Sequence, residues 1–372
     1  MTESGARRVP ASASPGATAR LGAVPPLVFA GECDLLTERL AGVARGEALV
    51  LWGADRTRSF DGVTADAVRA RLRTLLQMSA ILTYAASVPV VKLGQIGPDE
   101  QDTGQGAEPD PSALTRRYEF SVATLNLVRA LATGGYADLR QVHRWNTEFV
   151  AASSAGHRYS ALADEIGRAL AFMRACGPDP AQLATVEFFA AHEARSPAYD
   201  SALTRVDSRT GRRYNTSGHF VWTGGAPTRY VDHLADVRNP VGVRLGAEDG
   251  PDDVLELLGR LDPLREAGRT AFLVRMDSAA LRDTLPALVE KVTAEDHRVA
   301  WICAPAPAGG ERGDTRRFGD VLAEVAAFFE VHHALGTHPG GLATDLGPDS
   351  SAALDLAFLV AELCRAPGTA SC

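Results

Sequence analysis

The chain has 372 residues, 45% hydrophobic and 23% charged, enough apolar side chains for a full α/β core and too many for disorder throughout. A formal net charge of -8 and a pI near 5.6 give no electrostatic reason to expect nucleic acid or an anionic membrane as partner. Five cysteines (Cys33, Cys176, Cys303, Cys364 and Cys372), widely spaced and without a CxxC pair, argue against a cysteine-built zinc site and suit reduced thiols in a cytoplasmic protein.

Residues 1–22 are rich in Ser, Ala, Pro, Gly and Arg, lack the apolar core of a signal peptide, and are expected to form a disordered arm. Residues 23–372 read as one domain. Past Pro25 and Pro26, Leu35, Leu36, Leu40 and Val43 recur at helical spacing and predict a helix outside the repeated units. ALVLWGADR is a buried strand, the following DGVTADAVRARLRTLLQMSAILTYAAS a long helix, and VPVVKLGQ a second strand, which makes a first βαβ unit. Residues 97–112 are acidic and Gly/Pro-rich without periodicity, and predict a long loop that is either a lid or disordered.

A helix through SVATLNLVRALAT, the run LRQVHRWN, a helix through YSALADEIGRALAFMRACG and the strand ATVEFFAAHEA come next. Residues 199–217 are polar and Arg-rich, and GHFVWTGG is a further strand. From Asn239 to Leu363 one phrase repeats four times: an apolar run (VGVRLG, TAFLVRMD, RVAWICAP, GGLATDLG), a charged or Gly/Pro-rich break, then an amphipathic helix. Such alternation means parallel βαβ units. Nine strand candidates result where a closed (β/α)8 barrel needs eight, so one, LRQVHRW first among them, is misassigned or extra. Periodicity leaves an open doubly wound sheet as the alternative, although no GxGxxG opens a helix after a strand. The longest apolar stretches, such as LDLAFLVAEL, are too short to span a membrane.

Arg244 and Arg275 end strands in consecutive units and would reach the same mouth, where two guanidiniums make a fork for phosphate or carboxylate. The alternative is pairing with an acid such as Asp277 or Glu248. Lys92 either adds charge to that mouth or forms a structural ion pair. Arg56, in Asp55-Arg56-Thr57-Arg58 after the first strand, brings a rim cation or is merely solvated. Glu193, next to His192, is a candidate acid or base, but adjacent strand residues point to opposite faces, which disfavours joint action. His338 in GTHPGG either titrates near neutrality or bonds backbone in a tight turn. Cys303 has no base beside it in sequence and reads as buried and inert.

PLVFAGE, the GAD turn, LTYAASVPVVKLG, VHRWNTEFV, AHEA, VWTGG, NPVGVRLG, RMD and FFEVHHALGTHPGG together resemble the type II 3-deoxy-D-arabino-heptulosonate 7-phosphate (DAHP) synthase family. The resemblance runs from about Pro25 to Arg365. It implies a (β/α)8 barrel, here with an N-terminal helical extension. The implied reaction condenses phosphoenolpyruvate with erythrose 4-phosphate, the first step of the shikimate pathway, using a divalent metal such as Mn or Co.

Against that family the chain departs at named positions. Arg56 stands where the metal-binding cysteine belongs, Pro307 where the metal histidine belongs, and the segment carrying the last aspartate ligand is missing after Gly347. Asp345 falls on the metal glutamate and is the one matching ligand position. On the substrate side, Arg244 matches a phosphate-binding lysine and Arg275 an arginine of the phosphoenolpyruvate site. Gly225-Ala226 replaces a Glu-Arg pair, with Arg229 nearby, Gln95 replaces an arginine, and the Lys-Pro-Arg-Ser phrase for the second sugar phosphate is absent.

The resulting expectation is a repurposed, metal-independent enzyme of bacterial secondary metabolism acting on an aromatic or shikimate-derived anion. In it Lys92, Arg229, Arg244 and Arg275 bind substrate, Arg56 supplies the lost metal charge, and Glu193 or His338 moves a proton. No cofactor is expected unless the family reaction survives. The alternatives are a working DAHP synthase and a non-catalytic barrel that binds a biosynthetic partner enzyme. A homo-oligomer is expected in each case.

Overall fold

Apolar runs rich in Val, Leu, Ile and Ala, each set off by a polar break, have no polar face to present to water and pair inside a two-layer shell. The computed structural model describes residues 15–54, 62–96, 111–153, 156–177, 185–224, 230–305, 317–346 and 351–365. Its strands are β1 (Leu49–Ala54), β2 (Val90–Gln95), β3 (Phe189–Glu193), a hairpin of β4 (Thr204–Val206) and β5 (Arg213–Asn215), then β6 (Phe220–Thr223), β7 (Val241–Leu245), β8 (Thr270–Val274), β9 (Ala300–Cys303) and β10 (Gly341–Asp345). Eight of them close a parallel barrel in the order β1-β10-β9-β8-β7-β6-β3-β2. This is the (β/α)8 barrel expected, and the open sheet is excluded.

The helices are α1 (Pro15–Ala23), α2 (Ala30–Ala44), α3 (Ala65–Ala86), α4 (Pro111–Thr133), α5 (Leu139–Ala152), α6 (Gly156–Cys176), α7 (Pro197–Leu203), α8 (Val231–Asp236), α9 (Pro251–Leu261), α10 (Ser278–Ala294), α11 (Phe318–Ala334) and α12 (Ser351–Arg365). None among the described residues is long and apolar enough to cross a membrane.

Strand alternation divides the core in two. Inward residues such as Val50, Trp52, Leu93, Phe220, Leu273 and Ile302 fill the barrel, and Leu36, Leu40 and Val43 of α2 seal its N-terminal end. Outward residues such as Leu51, Val243 and Val274 pack under the helical layer. Each fully buried Leu or Val contributes roughly 1.5–3 kcal/mol of transfer free energy. Gly53 and Gly94 are register partners on β1 and β2 and face outward. A Cβ on the first would collide with Leu346 and one on the second with the ring of Phe188, so these two side chains use the space.

Two expectations are corrected here. The N-terminal arm does not extend to residue 22: α1 forms over Pro15–Ala23, Leu21 is buried, and Arg205 Nη2 donates to the Leu21 carbonyl at 2.9 Å. Burial of one leucine face against α7 and α4 is what orders it. LRQVHRW is the extra strand candidate, for it opens α5. Val142, Trp145 and Asn146 recur at helical spacing on its buried side, and Asp138 caps it by accepting from the Arg140 amide at 2.8 Å. The Arg-rich 199–217 segment supplies α7 and the β4–β5 hairpin.

Candidate functional site

In a parallel barrel the last inward residue of each strand rims the C-terminal mouth, where such folds place their chemistry. On β7, Val241, Val243 and Leu245 face the helices, which turns Arg244 inward. On β8, Ala271 and Leu273 face inward, and the same alternation carries Arg275 into the mouth one residue past the strand. The Arg275 amide donates to the Leu245 carbonyl at 2.8 Å and so extends the β7–β8 ladder. The two arginines therefore stand on neighbouring strands at adjacent levels.

Arg244 is exposed and forms no ion pair among the described residues, while Arg275 is half-buried. Asp277, one alternative partner, is engaged elsewhere. It accepts from the Ala279 and Ala280 amides at 3.0 and 2.9 Å as the N-cap of α10.

Glu193 ends β3 as an inward residue with its side chain only 5% exposed. Its Oε2 lies 2.8 Å from Arg195 Nε, and Arg117 Nη2 donates to its backbone carbonyl at 3.2 Å. His192 points the other way, as strand alternation requires. Its Nε2 donates to Asp200 Oδ1 at 2.6 Å in a fully buried pair. Burial holds the His192 imidazole below its ordinary pKa even though the Asp200 carboxylate opposes the shift.

Two indoles stand below the rim. Trp52 on β1 and Trp222 on β6 meet edge to face at 5.1 Å, and Trp222 Nε1 donates to Gln95 Oε1 at 3.4 Å. Asp345 ends β10 as an inward, half-buried residue beside Ala54.

Lys92 and His338 do not join this mouth. Lys92 is the register partner of Leu51 and shares its outward face, and its Nζ donates to the Val90 carbonyl at 2.8 Å. Burial lowers its pKa to about 8, partly opposed by Glu187. Strand alternation explains the correction, since only odd-numbered residues of β2 point inward. His338 precedes β10 at the sealed, N-terminal end of the barrel. Its Nε2 donates to the Ala48 carbonyl at 2.9 Å and burial holds its pKa down, so it is the backbone-bonded turn histidine rather than a proton carrier at the mouth. Cys303 is buried, and burial with Glu324 nearby raises its thiol well above the ordinary range, in keeping with an inert cysteine. Arg56, Arg229 and Pro307 lie outside the described residues.

No group of three or more His, Cys, Asp or Glu among the described residues could hold a divalent ion, and a single carboxylate such as Asp345 would hold one weakly and mostly hydrated.

Sequence reading missed Arg195, Arg117 and the Trp52–Trp222 pair. Arg195 was accessible in principle, because a residue two positions after an inward Glu193 returns to the same face. Arg117 arrives from α4, which no local pattern relates to β3.

Residues 10–101 and 98–354 match the profile of the Class-II DAHP synthetase family. A phospho-2-dehydro-3-deoxyheptonate aldolase of Streptomyces coelicolor is 49% identical over 415 aligned positions, covering 93% of this chain and 92% of that protein. The phospho-2-dehydro-3-deoxyheptonate aldolase AroG of Mycolicibacterium smegmatis is 40% identical over 88% of this chain and 78% of its own length. A truncated 3-deoxy-D-arabino-heptulosonate 7-phosphate synthase of Thermotoga maritima aligns with a TM-score of 0.38 at 10% identity, over 87% of this chain and 88% of that one.

Proposed function

The chain belongs to the class-II DAHP synthetase family, and from that premise we propose that it is a DAHP synthase, joining phosphoenolpyruvate to erythrose 4-phosphate at the C-terminal mouth. The pairing of Arg244 with Arg275 on neighbouring strands carries this reading. Adjacent strands lie about 4.8 Å apart, so both guanidinium forks reach one oxyanion. Each charge-assisted contact is worth roughly 1.5–3 kcal/mol. Arg229 is assigned to the same anion. High identity to two relatives that bear the aldolase name sets this reading ahead of a repurposed enzyme.

A second reading, the repurposed metal-independent enzyme of secondary metabolism, is favoured by the resemblance, which puts Arg56 and Pro307 at metal-ligand positions. Under either reading the protein is taken to work as a cytoplasmic homo-oligomer on small anions, with neither nucleic acid nor membrane as partner.

The deciding assay follows phosphate release from phosphoenolpyruvate and erythrose 4-phosphate with manganese, with cobalt and with chelator, alongside metal analysis. Metal-dependent release supports the first reading. Binding of phosphoenolpyruvate without turnover under any of the three conditions would sink it and leave the second.

A further inference from the structure

We propose that Arg195 is an additional anion-binding residue of the mouth and that Glu193 positions it, so that the site grips a ligand by two anionic ends. The inference rests on the reading that the mouth binds phosphoenolpyruvate, which carries a phosphate and a carboxylate.

Arg195 follows Glu193 by two residues where β3 leaves the barrel. Its Nε sits 2.8 Å from Glu193 Oε2, and the carboxylate beneath it is buried while the arginine side chain remains 38% exposed. A long flexible cation is thereby tied at one nitrogen to a fixed point on the rim. Backbone contacts on either side restrict the segment further. Tyr230 donates its hydroxyl to the Arg195 carbonyl, and the Ala194 amide donates to Trp222 at 2.8 Å.

Gly224 leaves room for the anchor: a Cβ there would stand 2.7 Å from Glu193 Oε1 and 3.0 Å from the Trp222 ring, so a larger residue would push the carboxylate from this place. Glu193 is consequently occupied by a guanidinium, which suits a positioning group better than a general base.

The distance across the mouth defines the ligand. β3 and β7 are separated by β6 alone, so the rim positions of Arg195 and Arg244 lie about 10 Å apart by strand spacing. Two extended arginine side chains span that gap with a three-carbon phosphorylated acid between them. Arg244 and Arg275 then take one anionic group and Arg195 the other.

The test measures dissociation constants of full-length wild type, Arg195→Ala, Arg195→Lys, Glu193→Gln and Arg244→Ala for phosphoenolpyruvate and, separately, for inorganic phosphate. Arg195→Ala is expected to weaken phosphoenolpyruvate binding about 10- to 100-fold and to leave phosphate binding unchanged. Arg195→Lys is expected to recover part of that loss, and Glu193→Gln to show a smaller loss of the same selectivity. Arg244→Ala is expected to weaken both ligands. Equal loss of both ligands in Arg195→Ala, or no loss of either, would overturn the inference while leaving the mouth's proposed substrate intact. Failure of the wild type to bind either ligand would sink the inference and the reading beneath it together.

Discussion

His338 Nε2 lies 2.9 Å from the carbonyl of Ala48, which fastens the turn before β10 to the residue just ahead of β1. These strands are the seam where the barrel closes on itself. The histidine is neutral there, since its donated proton must point at the carbonyl and burial disfavours a second proton.

Acid should therefore loosen the fold. His192, His219, His332 and His338 all have pKa values lowered by burial, His332 to about 3. A histidine depressed in the native state is neutral in both states above its ordinary value near 6.5, and below it the unfolded chain takes the proton first. Stability is thus full above about pH 6.5 and falls with decreasing pH, by up to about 1.4 kcal/mol per unit for each such group. Glu32, lowered to about 2, has the same sign further down, whereas Asp262, raised by burial, opposes it. The melting temperature should drop between pH 7.5 and 5.0, with a shallower drop in His338→Gln. A flat profile would refute this account.

A buried hub makes a sharper prediction. Asn239 Nδ2 donates to the carbonyls of Asn215 and Gly218 at 2.9 and 3.0 Å, and its Oδ1 accepts from the Asn215 amide at 2.8 Å. Asn239→Ala strands three backbone groups in the interior and should cost on the order of 3–5 kcal/mol. Urea denaturation at equal m-value measures it, and a loss under about 1 kcal/mol would show that water replaces the side chain.

Gly94→Ala should destabilise by about 1–3 kcal/mol, because the added methyl meets the Phe188 ring in a packed layer. Truncating that ring in a Gly94→Ala, Phe188→Leu double variant should recover part of the loss. Strict additivity of the two changes would deny the collision.

The double variant Arg244→Ala, Arg275→Ala should retain its melting temperature and lose binding of phosphoenolpyruvate and of inorganic phosphate by at least about 100-fold. Calorimetry reads both, and unchanged affinity would remove the clamp from the proposed function.

The barrel was legible in the sequence because its strands are contiguous apolar runs separated by helices of regular length. The same alternation sent Arg244 and Arg275 to one mouth. It failed for Lys92 only because the register of VPVVKLGQ was not counted from Val91, the residue that packs inside. His338 was ambiguous because a turn histidine looks the same at either end of a strand until the ladder direction is fixed. The arm was misjudged because one buried leucine on a nine-residue helix gives almost no periodic signal. Arg117 on Glu193 joins residues 76 apart in the chain, a tertiary relation that no local pattern encodes.

The helix α2 that seals the N-terminal end turns the barrel into a cup with one opening. Whatever enters must leave by the same route, so two reactants cannot approach from opposite sides. Under the proposed function, phosphoenolpyruvate seated on the rim arginines is covered by the reactant that arrives after it, which sets an order of addition. Steady-state inhibition patterns with a dead-end analogue of phosphoenolpyruvate register that order, and a random-order pattern would show that the opening admits both at once.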